Sequence, residues 1–67
     1  MIYRVVVTPS AGASAGKELQ ALLLAIGYNA SANRFEFLFA GVDDKQNKIK
    51  RANDTQISKL EVRGEFK

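Results

Sequence analysis

Neither cysteine nor histidine occurs anywhere in these 67 residues, and in so short a chain that absence limits the fold more than any motif does. Domains of this size hide only about 60% of the surface their unfolded chains expose. Many are therefore stapled by disulfides or a structural zinc. Without thiolates or imidazoles both staples are excluded, so the fold must rest on one thin apolar core. The same absence removes Ser-His and Cys-His chemistry and any zinc hydrolase, leaving catalysis to Lys, Asp, Glu, Tyr or Ser. The chain reads as non-enzymatic, with no cofactor and no metal site. At 46% hydrophobic and 25% charged, it is apolar enough to fold as a globule and not as a disordered tail.

The apolar pattern changes period along the chain. Residues 2–9, IYRVVVTP, are β-branched and aromatic and stop at a proline, which describes a strand and its breaker. Alternation puts Tyr3, Val5 and Val7 on one face and Ile2, Arg4, Val6 and Thr8 on the other. Residues 33–41, NRFEFLFAG, form a second strand, with Phe35, Phe37 and Phe39 opposite Glu36, Leu38 and Ala40. Residues 57–67, ISKLEVRGEFK, form another, with Leu60, Val62 and Phe66 alternating against Lys59, Glu61, Arg63, Glu65 and Lys67. In the intervening segment 42–56, a short strand around NKIKR that turns at Asn53-Asp54, or an irregular ribbon, is preferred over a helix, because only Val42, Ile49 and Ala52 would anchor a helix.

Between the first two strands, Leu19, Leu22, Leu23 and Ile26 recur at i, i+3, i+4 and i+7, the stripe of an amphipathic helix. Ser14 is placed as its N-cap and Gly27 as its left-handed stop. The expected fold is α+β. One domain over residues 1–67 would hold a three- to four-stranded sheet with a single helix on one face, in the order β-α-β-(β)-β. A right-handed crossover would set the first two strands parallel. The expected core joins the helix stripe to Tyr3, Val5, Val7, the three phenylalanines, Leu60, Val62 and Phe66.

The helix start invites a phosphate-loop reading, since SAGASAGKE ends in Gly-Lys. Ala11 stands where such a loop needs its first glycine, and Glu18 where it needs a hydroxyl, so the motif fails. What survives is a weak anion site at Ser14, Gly16 and Lys17, built on free N–H groups at the helix start.

Ten basic and seven acidic residues give a net charge of +3, mild enough to fit an anionic partner without requiring one. The segment 45–51, KQNKIKR, concentrates cations, so Lys45, Lys48, Lys50 and Arg51 form the candidate surface for an alternative, nucleic-acid-binding function. No aromatic residue is interleaved with them to stack on bases. Asp43 and Asp44, being adjacent, do not face each other as a metal or acid pair.

The sheet face without a helix would present Ile2, Val6, Leu38 and Ala40 among Arg4, Glu36, Glu61 and Arg63. Mixed charge around apolar anchors suits a protein partner. Arg4, Glu36, Leu38, Glu61 and Arg63 are therefore the candidate partner-binding residues. The leading reading is a small regulatory module working by protein contact, through an open sheet face or an edge strand, with self-association as a homodimer included. Short virus-encoded inhibitors fall in the same size class. The apolar run 21–26 followed by Ala30-Ser31-Ala32 imitates a secretion signal. Glu18 sits where such signals are positive, and the chain starts at Met1, so the expectation is a cytoplasmic protein with no membrane segment.

Overall fold

The computed structural model describes residues 2–41 and 49–66. They form five strands: β1 (Ile2–Pro9), β2 (Leu19–Asn29), β3 (Arg34–Gly41), β4 (Ile49–Asn53) and β5 (Ile57–Phe66). All pairings are antiparallel, and the spatial order is β4-β3-β2-β1-β5. The strands expected at 2–9, 33–41 and 57–67 are present, and the short strand expected around NKIKR is β4.

The expected α+β architecture is overturned, because the described residues contain no helix and the fold is all-β. The segment read as a helix is β2, which lies between β1 and β3, so those two strands are not neighbours and no parallel crossover exists. The physical reason lies in one irregularity. Along β2, Leu19, Ala21 and Leu23 oppose Val7, Val5 and Tyr3 of β1 and share their face. The β2–β3 register then slips between Leu23 and Ala25, leaving Leu24 as the extra residue of a bulge. Past the bulge Ile26 and Tyr28 return to that same face. A step of three replaces a step of two, so Leu19, Leu23 and Ile26 fall at i, i+4 and i+7 while the backbone stays extended. Gly27 is an ordinary strand residue opposite Glu36 and does not take a positive φ.

The connection between β4 and β5 dictates the shape. In a flat sheet the four gaps between these outer strands, at about 4.8 Å each, would separate them by roughly 19 Å. The chain from Asn53 to Ile57 reaches at most about 14 Å. The sheet must therefore curl, bringing its two edges toward each other. Asp54, Thr55 and Gln56 make the bridge. The Asp54 N–H donates to the Phe35 carbonyl at 3.1 Å and the Ser10 N–H to the Gln56 carbonyl at 3.0 Å. The Asn53 side-chain oxygen accepts from the N–H groups of Thr55 and Gln56 at 3.0 and 3.1 Å. Two further register shifts in the β1–β5 pair, at Arg4/Val5 and Thr8/Pro9, supply bends where a curling sheet needs them.

The curl encloses the face holding Val5, Val7, Leu23 and Phe39, with Ala21, Phe37, Ala52, Ile57 and Leu60 packed around them. Val5, at 1% exposure, is its centre. Several expected core residues lie outside it. Phe66 opposes Ile2 on the outer face because the bulge at Arg63 shifts the alternation of β5, and it is exposed together with Phe35, Val62 and Ile26. Where the inner face is covered, the sheet itself covers it. No helix performs that role.

A candidate recognition surface

The β2–β3 hairpin closes through residues 30–33, where Asn33 takes a φ of 55°, a left-handed position that asparagine tolerates. The Asn29 side chain accepts from the Ala32 N–H at 3.2 Å and donates to Glu36 at 3.1 Å. The Tyr28 hydroxyl donates to the Asn33 side-chain oxygen. These bonds fix the tip of the hairpin and the Tyr28 ring with it.

On the inner side of this hairpin Ile26 opposes Phe37, and Tyr28 opposes Phe35. The Tyr28 and Phe35 rings sit 5.0 Å apart at 57°, within the range favoured by aromatic pairs. Pairing with β1 runs from Leu19 to Leu23 only, so this end of β2 projects past its neighbour. Ile26, Tyr28 and Phe35 consequently remain 58%, 54% and 50% exposed. Together they form a contiguous apolar patch of one aliphatic and two aromatic side chains. Sequence reasoning assigned Phe35 and Ile26 to the core. The signal that would have found the patch, the bulge at Leu24, has no signature in residue type.

The sequence-derived partner residues do share a face, the outer one, but not a site. Arg4 and Glu61 lie on the adjacent strands β1 and β5, with Glu61 opposite Val6. Arg63 reaches Glu61 at 3.3 Å, and Lys59 approaches the same carboxylate at 3.8 Å. Glu36 and Leu38 lie on β3, with β2 intervening, and the convex curvature splays the two groups apart.

The anion-site residues Ser14, Gly16 and Lys17 sit in a loop of turns, with no helix start to supply free donors. The N–H groups of Ala15, Gly16 and Lys17 donate to the carbonyls of Gly12, Pro9 and Ser14. Gly12 and Gly16 take φ values of 87° and 76° to make those turns.

Of the basic segment, Lys45 and Lys48 lie outside the described residues, as do Asp43 and Asp44. Lys50 opposes Phe39 on the inner face, and Arg51 opposes Leu38 on the outer face. The structure therefore divides these two cations between opposite sides of β4. Among the described residues no cluster of three or more acidic, His or Cys side chains is arranged to hold a metal ion. Nor is any helix there long and apolar enough to cross a membrane.

Comparison with known proteins yields no matching family model, and no curated protein or solved structure matches the chain.

Proposed function

We propose that the protein is a small non-enzymatic binding module that works by protein contact through the open face of the β2–β3 hairpin. The observation that carries this reading is the imbalance of apolar burial. Among the described residues nine large apolar side chains are exposed and five hydrophobic ones are buried, and three of the exposed ones adjoin on this hairpin. Contiguous apolar surface of this kind, bordered by polar side chains, marks interaction sites on soluble domains. Tyrosine and phenylalanine are favoured anchors in them.

The edges suit strand addition less well. β4 has five residues and carries Lys50 and Arg51, and β5 carries Lys59, Glu61 and Arg63 along with two bulges. Charge, shortness and bulges are the features that blunt strand edges against pairing.

Affinity capture from lysate of the source organism, with and without nuclease, tests the reading. Wild type is compared with Phe35→Asp and with an Arg4→Glu/Arg63→Glu variant. Loss of the captured protein in the first variant and its retention in the second supports the hairpin face. The reverse result moves the contact to the outer face, and loss on nuclease treatment alone favours nucleic acid.

A further inference from the structure

A second apolar concavity lies away from that hairpin face, between the Ser10–Glu18 loop and the facing ends of β3 and β4. Its volume is about 380 Å³, within the range of roughly 300–1,000 Å³ typical of small-ligand sites. The hollow has a sequence cause. Ala21 and Ala52 occupy inner-face positions here, whereas β2 farther along carries Ile26 and Tyr28 on that face. The floor is completed by Val7, Leu19, Phe39 and Ile57.

The charges around it have one sign. Lys50 opposes Phe39 on the inner face, so its aliphatic stem follows the floor while its ammonium sits at the rim. Arg51 borders the cleft from the outer side of β4, and the other polar lining comes from Ser14, Gln20 and Gln56. No carboxylate lines the cleft among the described residues, and neither cation has an ion-pair partner there. Charges of one sign beside low-dielectric walls favour a ligand of the opposite sign.

We propose that this cleft binds an anionic amphiphile, taking its alkyl chain on the Val7–Leu19–Phe39–Ile57 floor and its carboxylate at Lys50. The site is independent of the hairpin face.

Octanoate, octanol and octylammonium, each below its micelle concentration, are titrated into the full chain, with backbone amide shifts as the readout. The expected result is saturable shifts at Leu19, Ala21 and Ala52, with octanoate binding roughly two- to fivefold tighter than octanol and octylammonium weakest. Lys50→Met should erase the preference for the acid and keep the chain contact. Ala52→Phe should fill the cleft and abolish both, with its amide dispersion confirming the fold. Equal affinity for acid and alcohol overturns the proposal. So does an unchanged preference in Lys50→Met, an absence of saturable shifts, or shifts confined to Ile26–Phe35.

Discussion

Replacing Leu23 and Ile26 one at a time separates the curled sheet from a helical alternative. On a helix stripe the two side chains would be equivalent, three residues apart and both turned to the core. In the structure Leu23 is 6% exposed and packs with Val5, Val7 and Phe39, whereas Ile26 keeps more than half its surface in water. Truncating a buried leucine to alanine costs about 2–5 kcal/mol. Full burial of an isoleucine contributes about 1.5–3 kcal/mol, so Ile26→Thr, which keeps the β-branch and loses under half of that, should cost less than about 1 kcal/mol. The total stability of so small a core is about 3–5 kcal/mol. Leu23→Ala should therefore be largely unfolded or nearly so at 25 °C, while Ile26→Thr remains folded. Urea titration followed by far-UV circular dichroism reads the difference. With a slope of about 1 kcal/mol per molar urea, the midpoint falls by at least about 2 M in the first variant and by less than about 1 M in the second. Equal shifts would refute the reasoning.

Other outcomes follow from the bends and closures. Gly64 adopts a φ of 144° with open space where a Cβ would sit, so Gly64→Ala should cost about 1–3 kcal/mol through backbone strain alone, measured by the same titration. Asn53→Ala removes the acceptor for the Thr55 and Gln56 N–H groups and should cost about 1–2 kcal/mol, with faster amide exchange at residues 54–56. If the basic segment instead binds nucleic acid, affinity must fall steeply with salt, and Lys50→Ala/Arg51→Ala must flatten the slope. The protein-contact reading expects no mobility shift with oligonucleotides even at low salt.

Much of the strand content was legible. IYRVVVTP and NRFEFLFAG alternate cleanly and end at breakers, and both are strands within a residue of the expected bounds. The turn at Asn53-Asp54 was readable because asparagine and aspartate bond to the backbone two or three residues on. What misled was local slippage. One bulge at Leu24 turned a period of two into helix-like spacing, and another at Arg63 turned Phe66 outward. A central strand that is apolar on both faces also cannot be told from a buried helix by periodicity. The candidate site suffered from the same cause. The outer-face residues Arg4, Glu36, Leu38 and Glu61 were correctly assigned to one face, but the sheet's curvature, set by the three-residue bridge at 54–56, is a tertiary property. The apolar patch went unread because phenylalanine and isoleucine in alternation look like core wherever their strand is assumed to be covered.

The proposed protein contact depends on the Leu24 bulge bringing Ile26 and Tyr28 onto the face of Phe35 and Phe37. Nuclear Overhauser contacts in solution test that placement most directly. Cross-strand contacts of the Tyr28 ring with Phe35 and of the Ile26 methyls with Phe37 are the predicted result. A run of Hα-to-amide contacts three residues apart through Leu19–Ile26 would contradict it.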